Sequence, residues 1–311
     1  MSALVPARPP VPSTAPDDPR VGHLLGRDLA PGEAPRAVLL GFPTDAGVRR
    51  NGGRPGAAEG PAAIRRLLWK LTPDARAPAR FGALLGKTLD AGDLAVTGDL
   101  EADQAAFGEQ VAAFLRRGAF VIVLGGGHET AYGHFLGHVA AGQRVDVLNL
   151  DAHADVRPVK DGLGHSGSPF RQALEHPSGA CARYRVAGIL PWSAARAHLD
   201  LVTDRGGDWW TADALDAALV EELFGGLRGP AMVSLDLDAV DQAHAPGVSA
   251  PAAAGLTPAR WLEAAFLAGR TPAVASAGLA EYAPPLDRDD AAGRVAAATI
   301  FEILRGLAAR G

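Results

Sequence analysis

Short apolar runs followed by stretches of helical spacing recur along this chain, and that alternation leaves it few architectures to adopt. Arg36–Phe42 (RAVLLGF), Phe120–Leu124 (FVIVL), Val145–Leu150 (VDVLNL), Ala231–Leu235 (AMVSL) and Ala273–Leu279 read as buried strands, with Arg183–Ile189 a weaker one. Helical spacing runs over Pro61–Leu71, Ala102–Arg117, Glu129–Ala140, Thr211–Phe224, Thr257–Leu267 and Asp290–Leu307, with Thr211 as an N-cap and Pro258 in a first turn. Alternation of this kind predicts an α/β fold, a mostly parallel sheet covered by helices on both faces. No composition break or internal repeat divides residues 36–311, so one domain is expected there. Residues 1–35 are rich in Pro and poor in large apolar side chains, which predicts a flexible, extended or loosely docked arm.

Composition excludes several function classes. The 311 residues carry 30 Lys+Arg against 35 Asp+Glu, a formal net charge of -5, and no basic run, which argues against nucleic acid as a partner. A single Cys, Cys181, excludes a disulfide framework or a Cys-rich zinc cluster and fits a reducing compartment. No stretch approaches the ~18–20 apolar residues of a membrane span. No secretory signal is read at the amino terminus, so a cytoplasmic location is expected.

In an open parallel sheet ligands bind where loops leave the carboxyl ends of the strands. Here those exits are Gly-Gly-Gly-His128-Glu129, Asp151-Ala-His153-Ala-Asp155, Asp236-Leu-Asp238 and Ala280-Glu281. Extended backbone alternates faces, so Asp151, His153 and Asp155 can point to one side, as can Asp236 and Asp238. Taken singly, a His after a Gly run is usually a turn residue and an Asp-x-Asp usually a cap or a solvated loop. Together they predict convergence. Four aspartates at one place repel one another unless cations lie between them, and two divalent ions balance four carboxylates. Carboxylates with imidazoles and no thiolate favour a harder ion such as Mn²⁺. His134 and His138 share a helix face without a third ligand and predict a packed or surface role. Trp209 and Trp210 predict core or interface, and Cys181 an inert packed thiol. Gly125–Gly127 lacks the Lys-Ser/Thr of a phosphate loop and the spacing of a dinucleotide turn.

From about Gly41 to the last helix the sequence resembles the ureohydrolase family of arginases, agmatinases, guanidinobutyrases and formimidoylglutamases. Within it the chain is most similar to the formimidoylglutamases. The resemblance is carried by GFPTDAGVRRNGGRPGAAEGP (Gly41–Pro61), GGGHE (Gly125–Glu129), DAHADVRP (Asp151–Pro158), SGSPFRQ (Ser166–Gln172), PGVSAP (Pro246–Pro251) and EYAPPLDRD (Glu281–Asp289). It implies a three-layer α/β/α arginase-like fold with an eight-stranded parallel sheet, a trimer or hexamer, and two Mn²⁺ ions per subunit. It also implies that His128, Asp151, Asp155 and Asp236 hold one ion and His153, Asp151, Asp236 and Asp238 the other.

The implied reaction is hydrolysis of N-formimidoyl-L-glutamate to L-glutamate and formamide, a step of histidine degradation. Asp155 is then the proton carrier and Glu281 the residue that orients the amidinium. Arginases and agmatinases use the His of a His-Gly pair as proton shuttle; here Ser166 precedes Gly167, and His165, one position earlier, is the remaining candidate. Arg157 keeps the parity of the metal motif and is expected to bind a substrate carboxylate, with Arg49, Arg50 and Arg54 as further cations and Ser166 and Gly167 beside them. The nearest rival keeps the metal centre but takes a guanidino substrate, agmatine, guanidinobutyrate or arginine, and releases urea. A more distant one is a metal-binding assembly protein without turnover.

Overall fold

The computed structural model describes residues 3–7, 9–15 and 17–310. Among the described residues nine strands form one sheet: β1 (Leu4–Val5), β2 (Ala37–Phe42), β3 (Thr88–Leu94), β4 (Phe120–Gly125), β5 (Val145–Leu150), β6 (Cys181–Ile189), β7 (Asp208–Thr211), β8 (Ala231–Asp236) and β9 (Val274–Ala280). Their order is β1-β3-β2-β4-β9-β8-β5-β6-β7. β2 to β9 are parallel, the eight strands expected, and β1 adds an antiparallel edge strand on β3.

Strand periodicity sorts the side chains into two layers. Phe120, Ile122 and Leu124 of β4 pack with Ala37 and Leu39 of β2 beneath the helices Gly60–Leu68 and Ala291–Ala308, while Val121, Val123, Val38, Leu40 and Phe42 pack against the helix Leu100–Leu115 on the other face. Both faces are therefore covered, and β2, β4, β5 and β8 are buried along their whole length. The helices Pro258–Arg270 and Ala291–Ala308 lie in one layer and are tied by Trp261 Nε1 donating to Thr299 Oγ1 at 2.7 Å.

Three segments differ from what the sequence pattern alone predicts. The segment before residue 36 is not merely a loose arm: Leu4 and Val5 extend the sheet, and Val21 is fully buried, its N–H donated to Leu71 O at 2.8 Å. A few apolar residues, Val11, Val21, Leu24 and Leu25 among them, suffice because a core surface is already there to receive them. The helix expected over 211–224 is Ala217–Gly225, capped by Asp216 accepting from Leu219 N–H at 2.9 Å, and residues 208–211 are strand. Trp209 and Trp210 lie half-buried in that strand and pack on opposite faces of the sheet. β3 (TLDAGDL) was unreadable because two of its polar side chains are neutralised from elsewhere. Arg65, fully buried, places Nε 2.9 Å from Asp90 Oδ2 and Nη1 2.5 Å from Asp93 Oδ1.

Candidate metal centre

β4, β9, β8 and β5 are consecutive in the sheet, and their carboxyl ends deliver the four acidic or His-bearing exits to one place. The glycine turn after β4 is a packing requirement: a Cβ on Gly126 would stand 1.9 Å from Thr44 O. That close approach brings His128 over the end of β8, where its Nε2 lies 2.8 Å from Ser234 Oγ. The ring's Nδ1 is thereby turned to the acids, 2.8 Å from Asp155 Oδ2, 2.8 Å from Asp236 Oδ2 and 3.3 Å from Asp151 Oδ2. His153 Nδ1 stands 3.2 Å from Asp238 Oδ2 and 3.4 Å from Asp151 Oδ1.

Two sets of potential ligands result: His128, Asp151, Asp155 and Asp236, and Asp151, His153 and Asp238. All six expected metal residues are present, and Asp151 belongs to both sets. Asp236, expected to bridge as well, groups with the first set only; its Oδ1 accepts the Asp238 N–H at 2.9 Å and its Oδ2 faces His128. Asp151 is held by the His153 N–H at 2.6 Å and by Asn149 Nδ2 at 2.9 Å. Asp155 has φ 47° and Glu281 φ 68°, a left-handed backbone that is uncommon for residues other than glycine.

The electrostatics are those of anions short of counter-charge. Burial, then Asp151, pushes Asp155 up to about 6, and burial, then Asp238, pushes Asp236 well above the carboxylate range. Asp238 carries His153 up to about 12. Burial would lower His128, but Asp236 and its hydrogen bonds to the acids raise it well above 6.5. Asp238 Oδ1 is buried without a hydrogen-bond partner, a state that costs about 1–3 kcal/mol or more for a charged group. Four carboxylates, two imidazoles and an orphaned carboxylate oxygen fit a pair of divalent cations.

Above the cluster is a cavity of about 310 Å³, lined by His128, His153, Asp155, Asp236, Asp238 and Glu281 on its floor and by 51–54, 157, 166–167 and 249–250 around its walls. Glu281 accepts the His128 N–H through Oε1 at 2.7 Å, while its buried Oε2 has no partner. Arg157 lines the cavity, Nη1 donating to Asn51 Oδ1 at 3.4 Å, and Asn51 Nδ2 donates to Ser166 Oγ at 3.2 Å. Arg54 lines it too, donating to Ser249 O and Val248 O.

Three expected residues lie outside. The exposed Arg49 pairs with Asp45 at 2.9 Å. Arg50 pairs with Glu101 at 2.5 Å and donates to Gly164 O, bracing the loop before Ser166. His165 is buried but turned into its own loop. Nδ1 accepts the Gly167 N–H at 3.2 Å, and Nε2, 3.0 Å from Pro158 O, is the donor; both ring nitrogens are spent on shaping the loop. Conversely, Asn51, Ser249 and Glu129 belong to the site or its surroundings without a sequence signal of their own, although all three fall in the stretches that carry the resemblance. Glu129 is buried behind the wall, accepts the Gly47 N–H at 2.7 Å, and is pushed up to about 7 by burial. The other singled-out residues are packed: His134 and His138 each lie 2.7 Å from Ser276 Oγ, and burial pushes the half-buried Cys181 up to about 12.

Comparison with known proteins gives concordant results. The model of the arginase family matches residues 35–305. The chain is 40% identical over 305 residues to a formimidoylglutamase of Rhodococcus jostii, spanning 91% of this chain and 89% of that protein, and 35% identical over 285 residues to one of Chromobacterium violaceum, spanning 88% and 89%. In structure it is similar to the Trypanosoma cruzi formiminoglutamase with Mn²⁺, at a TM-score of 0.86 and 34% identity, covering 95% of this chain and 100% of the other. The proclavaminate amidino hydrolase of Streptomyces clavuligerus has a TM-score of 0.77 at 25% identity, with 99% and 100% covered.

Proposed function

The chain belongs to the arginase family, and from that premise we propose that it hydrolyses N-formimidoyl-L-glutamate to L-glutamate and formamide, using two Mn²⁺ ions. The observation that carries this reading is one cavity with five of the six metal-type ligands and Glu281 on its floor, Asp151 grouped with those ligands, and two arginines, Arg54 and Arg157, on its wall. A cationic wall suits a substrate with two carboxylates.

His128, Asp151, Asp155 and Asp236 would hold one ion and His153, Asp151 and Asp238 the other, with Asp236 completing the second set by a small rotation. When bound, such a pair supplies the acidification of water and the positive charge that a nucleophile at neutral pH requires. The protein's own groups do the rest. Glu281 is fixed by the His128 N–H through one oxygen, and its free oxygen accepts from the amidinium, orienting the carbon to be attacked. Asp155, on the cavity side of the cluster, takes the proton released by water and passes it to the leaving amine. Arg157 and Arg54 anchor the carboxylates, while Asn51, Ser166 and the Gly167 backbone shape the wall between them. His165 takes no part in proton transfer in this reading.

Residues 36–311 form the catalytic domain, and the protein works in the cytoplasm as a homo-oligomer. Among the described residues no helix is long and apolar enough to cross a membrane. The test is a product assay on Mn²⁺-loaded protein with formimidoylglutamate, arginine and agmatine. Formamide from the first, without urea from the others, is expected. Urea release would move the protein to the guanidino branch, and no turnover of any of them would leave a binding protein.

A further inference from the structure

The opposite end of the sheet carries a second cavity, where β5, β6 and β8 begin. It has a volume of about 480 Å³ and is lined by Arg144, Asp146, Ala182, Arg183, Arg228 and Gly229. Arg144 and Arg228 are exposed and form no ion pair among the described residues. Arg183 pairs with Asp208 at 2.5 Å, and the buried Asp146 accepts the Arg228 backbone N–H at 3.0 Å.

Arg185 lies two residues beyond Arg183 on the same face of β6, beside Leu148 and Asp208 in the register. It is 3% exposed, and neither its Nε nor its Nη2 has a hydrogen-bond partner. Three guanidinium groups thus line the cavity with one carboxylate, Asp146, and Arg185 and Asp208 lie further along β6 and β7, an excess of positive charge in a chain whose net charge is -5. A buried charged donor without an acceptor is strongly disfavoured. Guanidinium forks match planar and tetrahedral oxyanions by paired hydrogen bonds, and the volume falls within the roughly 300–1,000 Å³ of small-ligand sites.

We infer that this cavity is a binding site for a small oxyanion with two or more negative charges, gripped by Arg144, Arg183 and Arg228 with Arg185 behind them. The metal centre lies at the other end of strands about 20 Å long, so the two sites share no residue. A phosphate group and a dicarboxylate offer the same chemistry, and the probes separate them.

The experiment is calorimetric titration of the Mn²⁺-loaded full chain with inorganic phosphate and, separately, succinate, on wild type and on the Arg144→Ala/Arg228→Ala double variant. Both substituted side chains are exposed, and circular dichroism checks the fold. Saturable binding is expected to weaken about tenfold or more in the variant, the loss of two charge-assisted contacts, while kcat and KM in anion-free buffer stay unchanged. Tighter binding of phosphate assigns a phosphoryl ligand and of succinate a dicarboxylate; either, with that loss, supports the site. No saturable binding below about 10 mM, or equal affinity in the double variant, overturns it.

Discussion

Replacing Glu281 by Gln tests the division of work at the metal centre. The residue lines the cavity and is 4% exposed; one oxygen is committed to the His128 N–H at 2.7 Å, and the other is buried with no partner. Gln fills the same volume and can keep the first contact, since its carbonyl still accepts from His128. The amide NH₂ must then occupy the second position and meet the N–H groups of an amidinium, donor against donor. Losing one partner of a buried charged pair costs about 3–5 kcal/mol, which is roughly a hundred- to several-thousand-fold in kcat/KM. Metal content should not change, because Glu281 stands in neither ligand set. Steady-state kinetics on formimidoylglutamate, with metal quantified on the same samples, separates the cases. A variant with near-wild-type kcat/KM would refute substrate orientation by Glu281, and one that has lost its metal would make it a prop for His128.

Other expectations follow from the same geometry. Arg157→Ala should raise KM about tenfold or more with bound metal unchanged, the value of an exposed charge-assisted contact, whereas Arg49→Ala, outside the cavity, should leave both constants within about twofold; equal effects would unseat Arg157. Chelating the metal should lower the melting temperature by several degrees, because ions at about 100 times their Kd contribute about 2.7 kcal/mol, and Mn²⁺ should restore it; a melting curve indifferent to chelator contradicts the electrostatic account. Acid stability is set partly far from the site. Burial lowers His138 to about 4, whereas an unfolded His titrates near about 6.5. Between those values the unfolded chain binds the extra proton, so stability is lost as pH falls from about 6.5 towards 4, by about 3 kcal/mol for this residue. His134, also lowered by burial, acts in the same direction. Urea midpoints at pH 7 and pH 5 should therefore differ less in His138→Gln than in wild type, and an equal difference argues against burial of a neutral ring.

The metal centre was legible because its information is local. Each ligand lies at or within a few residues of the carboxyl end of an apolar strand, so His128, Asp151, His153, Asp155, Asp236 and Asp238 could be chosen before any tertiary contact was known. Strand parity is not what brings them together: residues 151–155 leave the strand, Asp155 is left-handed at φ 47°, and Leu237–Ala239 is a 3-10 turn. The wall was less legible. Arg49, Arg50 and Arg54 are close in sequence, the first two in the short helix Ala46–Arg50 and not in a loop, yet only Arg54 reaches the cavity; the others are drawn off by Asp45 and Glu101, and nothing in the local sequence declares those partners. The placement of His165 is hidden for a similar reason, since the carbonyl that holds its ring belongs to Pro158, seven residues away. β3 was hidden because its acids look solvated until Arg65 is placed among them. Residues that owe their position to a distant partner stay opaque to pattern reading.

The floor of the cavity hangs from four neighbouring central strands, whereas its sides come from segments that carry their own fastenings: Arg50 to Glu101, His165 to Pro158, Arg54 to the 248–249 backbone. Those fastenings make the rim a detachable collar. Insertions or exchanges there can retune which molecule is admitted while the reactive hardware below stays intact, so a transplanted set of rim segments is a more promising route to a new substrate than any change among the ligands.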